Sequence, residues 1–161
     1  MNERWVFAVT LSAAVGAGVI AGVFFVFSNF LMRVLDRRPA SEAIATMQSI
    51  NELIENPLFF LFFIGTALAG AVLGVYSLVS LDGPERTWLV AGGITYIVGA
   101  VLVTGAYHIP RNQALDRLDP QAVDAADRWS SYLSEWLPVH HLRTLAAIAS
   151  CASFVMAIRV G

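Results

Sequence analysis

Three stretches of this chain carry no Asp, Glu, Lys or Arg: Trp5 to Met32, Pro57 to Leu81, and Thr87 to Pro110. A hydrocarbon core about 30 Å thick is crossed by roughly 20 helical residues, so each stretch is long enough to span it. A fourth apolar run, Leu137 to Ile158, reaches that length only if Arg143 is counted within it. These runs predict an all-α fold: a four-transmembrane-helix bundle, with spans at about 5–32, 57–81, 87–108 and 137–158. With 57% hydrophobic and only 14% charged residues, the 161-residue chain has a membrane protein's composition and reads as one integral membrane domain.

The segments between the spans have their own pattern. Ile44, Met47, Ile50 and Ile54 recur at helical spacing, with Glu42, Ser49, Glu52 and Glu55 opposite, giving an amphipathic helix at about 41–55. Asp119-Pro120 has the form of a helix start and predicts a second extramembrane helix at about 120–136. Asn56-Pro57 starts the second span by the same logic, and Asp82-Gly83-Pro84-Glu85 is a tight turn that makes the second and third spans antiparallel neighbours. Pro110 is expected to end the third span, and Pro138 to bend or break the last helix between Trp136 and His140. In the first span Ala14, Gly18 and Gly22 form a small-residue face suited to close packing. The N-terminal apolar run is too long for a cleavable signal and reads as a retained anchor. The lone cysteine, Cys151, allows no intrachain disulfide.

Four spans place both amphipathic helices on one side of the membrane, opposite the termini and the short turn. The polar residues gather there too: Ser28, Asn29, Gln48, Asn51, His108, Arg111, Asn112, Trp129, Tyr132, Trp136, His140, His141 and Arg143. Such asymmetry predicts a pocket at one mouth of the bundle, lidded by the amphipathic helices. Arg33, Arg37, Arg38, Arg111, Arg117 and Arg128 lie on this side, against Arg4, Arg86 and Arg159 on the other. The positive-inside rule therefore turns the mouth to the cytoplasm and suits an inner-membrane, multi-pass protein. With no lysine and a net charge of −2, the chain offers no basic surface for nucleic acid. The partners expected are the bilayer and an apolar small molecule; a homo-oligomer is also possible.

The densest chemistry lies between Trp129 and Thr144. Trp129, Tyr132, Trp136, His140 and Arg143 share one helical face, and a cation inside a span is a functional-site candidate by default. Three readings of the histidines stay open. His108, His140 and His141 could form a metal site, although neighbours in sequence do not make the usual same-face pair. They could be interfacial residues bonded to carbonyls. They could also perform proton chemistry, with a neutral imidazole as base and Arg143 holding the resulting anion, against aromatic walls. No phosphate loop, nucleophile elbow, Cys-x-x-Cys pair, haem signature or dinucleotide fingerprint is present.

Several short motifs, in order, give the chain a family resemblance. They are Gly22 with Phe24-Phe25 and Phe27-Ser28, Met47-Gln48 with Ile50-Asn51, Thr104 followed by Pro110 and Asn112, and Trp129 and Trp136 ahead of His141, Arg143 and Thr144. Together they resemble the anthrone oxygenase-like family of small four-span membrane proteins, over nearly the whole chain. The resemblance implies oxidation of an anthrone-like phenolic substrate by molecular oxygen, without flavin, haem or metal. It also implies His141 as base and Arg143 as anion partner, with Trp136, Asn51 and Asn112 positioning the substrate and Gln48, Trp129 and Tyr132 around them. His108 and His140 stand where asparagine is commoner in the family, which leaves a metal-dependent oxidase as one alternative. A non-enzymatic binder or accessory subunit is the other.

Overall fold

The computed structural model describes residues 4–161, which form five helices and no strand. Four are long and apolar enough to cross a membrane: α1 (Arg4–Asp36), α3 (Pro57–Ser80), α4 (Pro84–Asp116) and α5 (Ala125–Val160). The shorter α2 (Ala40–Ile54) lies between α1 and α3 in sequence. The chain is thus an all-α, multi-pass membrane bundle. α1 packs on α3 and α5, and α4 closes the ring by packing on the same two helices.

Local sequence explains the boundaries. Asn56 caps α3, its side chain accepting the Phe59 N–H at 3.0 Å, with Pro57 supplying the pre-set first turn. Pro84 begins α4 straight after the turn at 81–83. The seam between these antiparallel helices is set by glycine: a Cβ on Gly93 would sit 2.6 Å from the Gly70 carbonyl oxygen. Only a residue without a side chain allows that approach. In α1 the closest approach is made by Gly16 against Thr66, while of the predicted small-residue face Ala14 is buried in the core. Gly18 meets only Cys151, and Gly22 faces open space.

Neither proline ends or breaks its helix. α4 runs through Pro110 to Asp116, preceded by π-helical segments at Ile97–Leu102 and Thr104–His108. The wider π turn relaxes the i→i−4 ladder where Pro110 cannot donate, so the helix continues. α5 runs unbroken past Pro138 because tertiary contacts bridge it. Trp136 and His140 stack across the proline with centroids 4.3 Å apart, and Tyr107 Oη donates to the nearby Glu135 carbonyl. The second amphipathic helix is therefore not a separate element but the first turns of α5, starting at Ala125. Asp119 caps only a short turn, accepting the Gln121 N–H. α1 likewise passes its expected end at Met32, through a π segment at Phe27–Leu31.

Two hydrophobic clusters result. One lies among the spans, around Ile20, Leu73, Leu89, Tyr96 and Phe154. The other holds α2 and the end of α4 against α5 at the polar end, around Met32, Ile44, Met47, Leu115, Trp129 and Trp136.

Candidate active site

At the polar end, between these clusters, is a cavity of about 150 Å³. Phe24 and Phe27 of α1, Met47, Ile50 and Asn51 of α2, Phe59 and Phe63 of α3, Thr104, His108 and Asn112 of α4, and Trp136 and Arg143 of α5 all line it. The π segments of α1 and α4 flank this space, which is where such irregular turns are most often found in functional proteins.

Arg143 is 8% exposed and points into the bundle, not to lipid. Its Nε donates to His140 Nδ1 at 2.9 Å and its Nη1 to Thr104 Oγ1 at 3.0 Å. Its guanidinium carbon lies 4.2 Å from the Phe24 ring centroid and 5.4 Å from that of Trp136. No carboxylate reaches it. The ion pairs among the described residues are Arg38–Glu42, Arg86–Asp82, Arg111–Glu135 and Arg128–Asp124, all away from the cavity. Contacts with aromatic faces contribute about 1–2 kcal/mol each, less than the several kcal/mol that desolvating a cation costs. The charge is thus bonded by neutral groups beside an open space, whose lining includes one carboxylate, Glu55, not paired with it.

His140, fully buried, holds the arginine. Guanidinium nitrogens only donate, so His140 Nδ1 must be the unprotonated acceptor, and its Nε2–H donates to the Phe24 carbonyl at 2.8 Å. Both ring nitrogens are occupied and the ring is a neutral tautomer. It aligns Arg143 while stacking on Trp136.

His108 differs. It is 1% exposed, and its Nδ1 lies 3.4 Å from the Val103 carbonyl, a partner that only accepts. Nε2 is the one buried side-chain polar atom among the described residues without a close hydrogen bond, and the backbones of both Val103 and Trp136 act on the ring. A ring nitrogen without a close bond, on a residue that lines the cavity, can exchange a proton with a bound molecule once the ring is in the matching tautomer.

The amides are fixed as well. Trp136 Nε1–H donates to Asn112 Oδ1 at 2.9 Å and Tyr132 Oη to the same oxygen at 3.0 Å, leaving Asn112 Nδ2 as the remaining donor. Asn51 Nδ2 donates to Asp116 at 2.8 Å, leaving its carbonyl oxygen.

Of the residues singled out from sequence, Arg143, Trp136, Asn51, Asn112 and His108 come together at the cavity, and His140 and Tyr132 support it from behind. Others do not reach it. Gln48 ties α2 to the end of α4, donating to the Leu115 and Leu118 carbonyls, each at 3.0 Å. Trp129 Nε1 donates to Asp36 at 3.3 Å, within the outer cluster. His141 is exposed and borders a separate outer groove with Ser28 and Asn29. Adjacent helical residues point about 100° apart, so with His140 turned inward His141 turns out, away from the cavity. The three-histidine cluster is not assembled either, since no group of three His, Cys, Asp or Glu among the described residues converges. Sequence reasoning passed over Thr104 as an arginine partner and Phe63 as a wall. Thr104, His108 and Asn112, four apart, carried a signal for the first; Phe63 was hidden in a phenylalanine-rich run that reads as lipid-facing.

The family model described as anthrone oxygenase matches residues 59–153, and neither the curated proteins nor the solved structures give a significant match. The matched segment covers more than half of the chain and takes in Phe63, Thr104, His108, Asn112, Trp136 and Arg143, so the chain belongs to the anthrone oxygenase family.

Proposed function

We propose that the protein is a membrane oxygenase that converts a lipid-soluble phenolic or anthrone-like ring to a quinone with O2. The observation that carries this reading is a buried guanidinium with no carboxylate at ion-pair distance, lining the same cavity as a histidine whose Nε2 makes no close hydrogen bond. Such a pair favours a ligand that loses a proton and becomes an anion inside the pocket.

The chemistry follows from those two groups. His108 Nε2 takes a proton from the CH2 ring carbon opposite the carbonyl of an anthrone-type ring, or of a phenol's keto tautomer, and the charge moves to that oxygen, held by Arg143. The anion passes one electron to O2 and the two radicals combine, forming a C–O bond. The peroxide oxygen recovers the proton from His108. His108 then removes the second hydrogen of that carbon as the O–O bond breaks, giving a carbonyl and water. The balance is substrate plus O2 to quinone plus water, with the histidine restored and no metal or organic cofactor required. Asn112 Nδ2 is a second donor for the substrate, and Phe24, Phe63 and Trp136 are flat walls for its ring. The polar mouth is read as cytoplasmic and the membrane as the cell's inner membrane, on the arginine distribution.

The test is oxygen uptake and anthraquinone formation from anthrone by purified protein in lipid nanodiscs, with metal content measured on the same sample. Arg143→Ala is expected to lower the rate about 100-fold or more, the scale seen when a transition-state anion loses a donor. Turnover unchanged in that variant rejects the assignment. Ligand binding without any turnover would make the protein a small-molecule binder.

A further inference from the structure

The cavity encloses less than its neighbourhood can accommodate. A volume of about 150 Å³ matches a cavity that takes one benzene ring, so a larger fused ring system would project through the mouth. A second concavity, of about 230 Å³, begins where the first ends, for Ile54 and Phe59 border both. It lies between α1 and α3, walled by Val19, Val23, Leu58 and Phe62. Its one polar lining residue, Asn56, is already committed, accepting the Phe59 N–H and donating to the Leu53 carbonyl. The groove therefore offers hydrocarbon contact alone, and the exposed Val19 and Leu58 open it to the surface. None of Thr104, His108, Asn112 or Arg143 borders it.

We propose that the ligand is a phenolic or anthrone-like ring carrying a linear hydrocarbon tail, the reacting ring enclosed beside Arg143 and the tail lying across Ile54 and Phe59 in the groove between α1 and α3. This rests on the reading of the cavity as the substrate site and narrows its substrate class. Polarity divides the two spaces: every free polar group is in the cavity, and the groove has none. A tailed amphiphile matches that division at both ends, whereas a compact polycycle leaves the groove to membrane lipid. The ridge between the spaces is adjustable, because Phe59 is only half-buried and stacks on Phe63 with centroids 5.3 Å apart. A change in its side-chain torsion widens the passage without moving a helix.

A decylhydroquinone carrying a photoreactive diazirine at mid-tail tests this with the full chain in nanodiscs. The expected result is labelling of α1 and α3 at Val19, Val23 or Phe62, suppressed by excess tailless hydroquinone and lost in Val19→Trp, which fills the groove. Two results overturn the proposal: labelling unaffected by the tailless competitor, which means a lipid-like occupant, or competed labelling confined to Ile109, which borders the cavity but not the groove. Anthrone turnover, measured in parallel, reports the oxygenase reading separately. Competed groove labelling without turnover keeps the tail site and rejects the enzyme, while turnover without groove labelling does the reverse.

Discussion

The two halves of this bundle solve opposite packing problems with the same four helices. Along the α3–α4 seam, Gly70, Gly92 and Gly93 bring backbones and the Phe154 ring together, and Ser150 Oγ donates to the Gly92 carbonyl at 2.8 Å. Space between the backbones is closed by removing side chains, and what is left is an open outer groove along Gly70, Gly74 and Gly93 with apolar walls. At the polar mouth, large rings and π turns hold the helices apart, and a cation and an imidazole are buried with bonding capacity unspent. Association in a membrane rests on packing and hydrogen bonding because lipid is as apolar as the helices. A region that forgoes close packing must therefore be held by other ties. At the mouth these are the Gln48, Asn51, Tyr132 and Trp136 hydrogen bonds to α4.

That contrast yields an ordered set of expectations. The sharpest is within the mouth, between two histidines. His108→Gln keeps the ring's approximate volume but removes the base, and anthrone turnover is expected to fall about 100-fold. His141→Ala, on the outer groove, is expected to leave turnover within about twofold. Comparable losses in both variants would erase the distinction between inner and outer imidazoles.

Breaking the closed half should do the reverse. Gly93→Leu forces a side chain against the Gly70 backbone and is expected to cost about 1–3 kcal/mol of stability, read as a lower unfolding midpoint in detergent. The fraction still folded should retain its turnover, since Gly93 is remote from the cavity lining. A smaller effect tests the ties at the mouth. Gln48→Ala removes two hydrogen bonds, to the Leu115 carbonyl in the last turn of α4 and the Leu118 carbonyl just past it, about 1–2 kcal/mol, and should raise amide hydrogen exchange in α2 while the seam keeps its protection.

The sequence showed the closed half and the general plan of the open one more readily than its details. Charge-free runs reveal spans because no ion can be left in lipid unaided, and Asn56-Pro57 reveals a helix start because both residues act locally. Pro110 and Pro138 were less legible for the complementary reason: whether a helix breaks at proline depends on neighbours such as Tyr107 and on π turns, which are set by tertiary packing. Arg143 stood out as a charge in an apolar run. Which histidine accompanied it did not, since adjacent positions are interchangeable until the helix is rotated against α1, and only then does the Phe24 carbonyl select His140. His108 was visible as a histidine, but its nitrogen without a close bond is a property of the folded mouth.

The central claim is that the unpaired guanidinium of Arg143 makes the cavity a site for a ring oxygen in its anionic form. A single-ring chromogenic phenol, 4-nitrophenol, tests it in one absorbance spectrum of the protein in nanodiscs, taken at a pH where the free phenol is protonated. The account predicts the red-shifted phenolate band on binding to the wild type, and its loss in Arg143→Ala. A bound phenol that stays protonated in the wild type, or a phenolate band that survives in the variant, would contradict it.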